Sequence, residues 1–594
     1  MKRLFVLFLV LAMLLSAFAG CGSTAASQAD TASDPQTQES AAEEPEAASE
    51  PEAVGEASPA EEPAAASDAE EPAEEPSEEP AEEPETETEE RSPVYTDVEL
   101  PLVDEDVSLT LWYTTPPILF DYISDLSELY VYQELTKRTG VGIDFENISF
   151  FTAAEKFGLM LASGDYTDIL VNSASNFSAY GGLDWAVSED IIVPLTDRLD
   201  DAPVYKQAIQ DSGREKDFYT DGGNLCGFYQ IAANEPLVST GYLIRQDMLD
   251  GVGAELPTTF DQLEDALTAI VDQYDVEMGI YINEYGGGPS QGLGIVVINE
   301  MGQPQFTQTD GKVRLGLYDD ALKTYLEYMS RWYQKGIIYK DYISLRIGQF
   351  DPETKMMSGA SACAVCDYDR IHIYKESSTE PDFRLTGMLT PVLNEGDVCQ
   401  LAQEEAYVNT MMSWLITTGC TDEEIDAAIK LCNYFYTDEG SLLLNYGTEG
   451  YTFNYDENGK PVLSDLILHN PDGMAMNFAL GIYVVQSGPM FKDFDRQYVD
   501  LYEGEEETLH YWTDNQTREG HLPSSLSLTV EESSRYSAIM SDVMIYANES
   551  INRFIMGELN LEEDYDNYLE TMKSMGVEDA IAIYQAALDR YNER

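Results

Sequence analysis

The sequence predicts an α/β fold with two lobes. Short apolar strands alternate with amphipathic helices from about residue 107 onward. The body that follows the N-terminal segments is also longer than one hydrophobic core organises. No internal repeat or second long apolar run divides it, so an array or a further membrane span is not expected.

The first element is an address. Lys2 and Arg3 precede a run from Leu4 to Ala19 that is apolar except for Ser16, a length that suits an export signal and falls short of a permanent span. It ends in Phe18-Ala19-Gly20-Cys21, which resembles the lipobox of bacterial lipoproteins. That resemblance implies cleavage after residue 20, a lipid anchor on Cys21 and an extracellular place on the cell membrane, with simple secretion as the alternative. From Ala25 to about Glu90 the chain has nine prolines, no aromatic residue and no Lys or Arg, so residues 21–95 read as a disordered acidic tether. Extended, such a cord reaches on the order of 100 Å.

The formal charge of -78 exceeds what the tether carries, so the body at 96–594 is itself acidic. Like charge disfavours nucleic acid and anionic lipid surfaces as partners.

Val107 to Tyr113 reads as the first strand, with Leu109 and Leu111 on one face and Trp112 on the other, stopped by Pro116-Pro117. Leu129 to Arg138 reads as a helix capped by Gly140, then Val141 to Phe145 as a strand. Thr152 to Leu161 follows as a helix and Asp168 to Val171 as a third strand. Further on, Thr258 or Thr259 caps a helix that buries Phe260, Leu263 and Leu267. Asp310-Gly311 marks a tight turn, and Leu322 to Trp332 is an amphipathic helix ending near Gly336. Asp422 to Tyr436 and Glu563 to Tyr591 read as helical, the latter broken at Gly576.

Several segments resemble, in order, the family 1 extracellular solute-binding lipoproteins of ATP-driven importers. The matching stretches are Tyr132 to Phe145, Leu159 to Leu170 (with Thr167 where Pro is common), Pro257 to Leu263, Thr309 to Val313, Arg331 to Ile337, Glu439 to Phe453 and Phe554 to Tyr591. The resemblance implies a periplasmic-binding-protein-like type II fold whose multi-crossing hinge joins two lobes. It also implies a carbohydrate ligand and membrane-spanning permease subunits as partners; a monomer with no cofactor and no metal in the ligand site is expected. By analogy the chain crosses near Ile231 to Pro236 and returns near Leu389 to Leu393. This gives lobe 1 about 105–233 and 390–440, and lobe 2 about 237–388 and 441–594.

Sugar capture needs flat rings for the apolar faces of pyranoses, and amides or carboxylates for their hydroxyls. Loops at the carboxyl ends of α/β strands are where such groups meet a ligand. The candidates are Trp112 and Tyr113 beside the Pro-Pro loop, Trp185 in a Gly-rich loop, and Tyr229 beside the first crossing. Asp367 and Asp369 follow a strand, and Trp512 and Asp514 lie in a late loop. Asp367 and Asp369 serve equally as partners for Arg370. Trp332 and Trp414 sit in helix-like patterns and read as core.

Other signals lead elsewhere. The six cysteines after Cys21 permit three disulfides or buried free thiols, and Cys363-Ala-Val-Cys366 lacks the setting of a redox or zinc motif. Asp456-Glu-Asn-Gly459 opens like a calcium loop but lacks its later ligands, so a hairpin turn is expected. The four histidines are scattered and no nucleophile elbow or nucleotide loop occurs, so a binder and not an enzyme is expected. The alternatives are peptide or other solute capture on the same fold, and a tethered glycosidase using two carboxylates about 5 to 10 Å apart.

Overall fold

A computed structural model describes residue 95 and residues 98–594, apart from 116–118, 121, 150–151, 300–302, 346–350, 379, 405, 472–473, 475 and 499–500. The export signal, Cys21, the tether up to residue 94 and the Pro-Pro loop lie outside the described residues. Tyr95, expected at the end of the tether, is buried with its ring 4.8 Å from Phe491, so the folded body begins earlier than 96.

Two mixed sheets organise two lobes. The first contains β1 (Ser108–Thr115), β2 (Gly142–Ser149), β3 (Ile169–Val171), β4 (Phe228–Ala232), β12 (Val408–Ile416) and β15 (Phe491–Lys492), in the order β15-β4-β12-β3-β1-β2. The second contains β5 (Val238–Arg245), β6 (Met278–Ile280), β9 (Ser361–Asp367), β10 (Leu385–Met388) and β11 (Gln403–Glu404). Two hairpins complete the set, β7 (Phe306–Thr309) with β8 (Lys312–Leu315) and β13 (Phe453–Tyr455) with β14 (Pro461–Leu463).

Strand direction shows where the lobes meet. In the first sheet β12 is antiparallel to its neighbours, and the remaining strands run parallel to one another. The carboxyl ends of those strands and the start of β12 therefore share one edge. From that edge the chain crosses to the second lobe after β4, returns before β12, and crosses again after β15. In the second sheet the start of β5 pairs with the end of β9, Thr240 opposite Asp367, and β6 runs parallel to β9. The loops after β6 and β9 consequently open on the edge from which β5 enters.

The first sheet gives way to the second between β4 and β5, and the return differs from the expected 389–393. Residues 389–404 stay with the second lobe, because β11 pairs with β5, and the return comes only just before β12. Residues 441–498 were expected in the second lobe, yet β15 hydrogen-bonds to β4 in the first. Leu443 and Leu444 also pack in the first lobe's core. The third crossing was not foreseen; it follows β15 and ends at helix Glu505–Asn515, which packs on β5 and β10.

Alternation along the strands builds the cores. Leu109, Leu111, Ile169 and Trp414 face one layer, with Val131 and Leu135 of helix Tyr130–Thr139. Trp112, Leu170 and Leu415 face the other, with Phe157. Trp414 is core as expected, but on a strand and not a helix. The second lobe buries Leu243, Ile280 and Cys363 against Phe260, Leu263 and Leu267 of helix Phe260–Gln273, whose start is held by a Thr259/Gln262 capping box. Asp310 (φ 51°) and Gly311 (φ 75°) form the expected turn of the β7–β8 hairpin.

Candidate ligand-binding cleft

Four predicted aromatic contacts are packed into or against the cores of the lobes. Trp112 is packed edge-on against Phe157, at 6.1 Å and 82°. Tyr113 meets Tyr132 and Phe145 edge-on at 5.9 and 5.4 Å. Tyr229 is buried in the first lobe's core, its carbonyl accepting a 2.5 Å hydrogen bond from the Tyr436 hydroxyl. Trp512 is 0% exposed. Its segment is a helix, not a loop, and its Nε1 donates to the Met388 carbonyl at 3.0 Å. The indole lies flat on β5 at Gly241, where a Cβ would approach it to 2.7 Å, so only glycine fits. Asp514 lies on the exposed face of the same helix. In each aromatic case the ring lies on the face that packs between sheet and helix.

Trp185 is different. It lies on a short helix, Gly182–Ser188, and not in a loop; its half-buried ring stacks on exposed Tyr180 at 5.4 Å and 21°. A Cβ on Gly181, held at φ 122°, would come within 3.0 Å of Trp185 and 3.3 Å of Val530, the first residue of helix Val530–Met556. Ser533 on that helix donates to the Ser178 carbonyl at 3.4 Å. Since the helix buries Val543, Ile551 and Phe554 in the second lobe, Trp185 stands at the seam between lobes.

Asp367 and Asp369 do come together, at the facing end of β9. Asp367 accepts from Thr240 at 2.5 Å and lies 3.6 Å from Arg370, while Asp369 lies 2.7 Å from Arg370. Burial raises the Asp369 pKa, Arg370 opposes it, and the Asp367 and Glu505 carboxylates push it further up. Glu505 starts the helix after the third crossing, is 2% exposed, and pairs with His372 Nδ1 at 2.5 Å. The His372 ring stacks on Tyr502 at 3.8 Å, fastening that crossing to the second lobe.

The sequence reading missed a polar set. Among the described residues, the buried Asn172 Oδ1, Gln230 Oε1 and Ser413 Oγ on the first lobe have no hydrogen-bond partner. The same holds for Glu284 Oε2 and Gln291 Oε1 in the loop after β6, and for Asn548 Oδ1 on helix Val530–Met556. Asn172 follows the end of β3 in the left-handed region (φ 48°), and β12 breaks its register between Asn409 and Ser413. A usable signal existed: Gln230 inside Phe-Tyr-Gln-Ile-Ala and Ser413 inside Met-Met-Ser-Trp-Leu-Ile are polar residues in apolar strands.

Beside this edge the lobes are joined by charge. Arg590 of helix Val577–Glu593 binds Asp221 at 2.7 Å and Glu532 at 2.7 Å, and Arg594 also binds Asp221. Tyr591 donates to Asp217, and Lys216 sits 4.2 Å over the Tyr591 ring. Asp217 and Asp221 flank the first lobe's core residues Phe218 and Leu225, whereas Leu588 and Tyr591 are core of the second.

The six cysteines in the folded body are free thiols, and all but half-buried Cys420 are buried. Cys363 and Cys366 are three apart on one strand and point to opposite faces, which forbids a bridge between them. At the β13–β14 turn Asp456 accepts the N–H groups of Asn458 and Lys460, as a hairpin requires.

Solved structures share this fold. The alginate-binding protein AlgQ2 is 18% identical with a TM-score of 0.63, and the match covers 82% of this chain and 99% of that one. A Bifidobacterium longum infantis solute-binding protein described as binding HMO is 15% identical with a TM-score of 0.65, over the same shares. The Streptococcus pneumoniae FusA protein, solved with kestose, is 19% identical with a TM-score of 0.61, also over 82% and 99%. No curated protein matches the sequence. The family model described as bacterial extracellular solute-binding protein matches residues 131–454. With that match spanning more than half its length, the chain belongs to the bacterial extracellular solute-binding proteins.

Proposed function

We propose that this protein is the lipid-anchored extracellular capture subunit of an ATP-driven importer. It takes a carbohydrate, an oligosaccharide, between its lobes and hands it unaltered to the permease. The observation that carries this reading is the set of buried, unpartnered oxygens on the facing elements of both lobes. Each such group costs about 1–3 kcal/mol until a partner arrives, and sugar hydroxyls are donors of the right kind. Trp185 and Tyr180, stacked and partly open at the seam, offer an apolar face for a pyranose ring.

A ligand touching both lobes favours the arrangement in which both sets of contacts exist, so capture is a population shift toward closure. The three crossings from one edge supply the hinge. The anchor rests on Cys21 and its apolar leader, and membership of family 1 on the ordered sequence resemblances. The sugars of two similar solved proteins, HMO and kestose, support the ligand class.

Titration calorimetry of the chain against a glycan panel tests the reading, with mass spectrometry of the sugar afterwards. A glycan bound one to one, recovered intact and lost on Gln230→Leu is the expected result. Binding of peptides with no glycan bound, or shortened sugars in the supernatant, would overturn it.

A further inference from the structure

Resting on the carbohydrate reading, we infer that the cleft is built for uncharged, hydroxyl-rich oligosaccharides and turns away sugars bearing carboxylate, sulfate or phosphate. Five of the unpartnered atoms share one chemistry, and Ser413 Oγ, a hydroxyl, can donate or accept. Asn172 Oδ1, Gln230 Oε1, Glu284 Oε2, Gln291 Oε1 and Asn548 Oδ1 are all acceptors, drawn from both lobes. A hydroxyl meets an acceptor by donating. A uronate or sulfate oxygen cannot, so each would face a lone pair with a lone pair, and Glu284 would add charge to charge.

The bias is firmest at Asn172 and Glu284, where the acceptor is fixed by a second contact or by the carboxylate itself. Asn172 Nδ2 already donates to the Ser487 carbonyl at 3.4 Å, and a carboxylate has no donor to turn inward. Three arginines are already engaged by protein groups. Arg370 is held by Asp367 and Asp369. Arg496, which follows β15, is buried and donates to the carbonyls of Asn445, Val485 and Gln486. Arg590 is divided between Asp221 and Glu532. An anion that draws on one of these strips it from its partner, in a chain whose formal charge is -78. The fold does not decide the matter, since it also serves an alginate-binding protein; the lining does.

The full chain is offered two pools of oligosaccharides of equal length, and bound sugars are read by native mass spectrometry. One pool is neutral (malto-, galacto- and fructo-oligosaccharides) and the other anionic (oligogalacturonates and alginate oligomers). The expected result is retention of a neutral sugar at least about ten times better than any uronate. Glu284→Gln, which keeps the volume and removes the charge, should narrow that ratio several-fold while its melting temperature stays near that of the parent chain. A uronate bound equally or better overturns the charge inference and leaves the carbohydrate reading standing. Failure of both pools to bind overturns both.

Discussion

Replacing Arg590 by Met cuts the ion cluster that ties a first-lobe loop to a second-lobe helix. Asp221 is buried, its side chain 4% exposed, with Arg590 Nε at 2.7 Å and Arg594 as its second cation. Removing one partner of a buried ion pair costs about 3–5 kcal/mol. Here Arg594 stays in place and the Arg590 side chain is 32% exposed, which brings the expected loss down to about 1–2 kcal/mol. The contact exists only while the lobes are together, so the loss falls on the closed arrangement and lowers its population relative to the open one by about 5- to 30-fold. Ligand affinity measured by calorimetry should fall by up to that factor, and the radius of gyration of the unliganded chain in small-angle scattering should rise. Arg535→Met, which removes an exposed pair with Asp579, is the control and should change neither quantity. An Arg590→Met chain with parental affinity and parental scattering would refute the reasoning.

The other expectations are simpler. Trp512→Ala should cost about 3–5 kcal/mol of stability in chemical denaturation, because it empties a core site, whereas Trp185→Ala should weaken sugar binding with a small change in melting temperature. Glu264 is desolvated, which alone would raise its pKa, yet hydrogen bonds from Arg331, Lys335 and Trp332 bring it from 4.5 down to about 2. A lowered carboxylate stabilises above its unfolded pKa, so the stability gap to Glu264→Gln should be full at neutral pH and close between about pH 4.5 and 2 in thermal melts. Thiol reagents should label the six cysteines of the folded body fully only after denaturation, and reductant should leave the melting temperature unchanged.

Local chemistry carried most of the element assignments. Gly140 closes helix Tyr130–Thr139, Thr259 opens Phe260–Gln273, and Gly576 divides the last two helices, each from signals within a few residues. The 27-residue helix Val530–Met556 was not read. Its apolar stripe is irregular and leaves Ile545 in solvent, although Thr529 and Glu532 form a capping box that marks its start. The crossings depend on which sheet a strand joins. For β11 and β15, each of two residues, nothing local distinguishes one sheet from the other. The site suffered most, because a tryptophan carries no mark of whether its face meets a sheet or a cleft. Trp112 and Trp512 went to cores, Trp185 to the seam, and the buried oxygens without a partner in the polar set belong to amides, a serine and Glu284.

The clamp reading turns on what happens to a sugar held between the lobes. Small-angle scattering of the chain, recorded before and after adding a glycan that calorimetry shows to bind, reports this in one experiment when the sugar is recovered for mass spectrometry. The account predicts a smaller radius of gyration in the complex and a glycan of unchanged mass. An unchanged radius with bound glycan, or recovery of cleaved products, would contradict it.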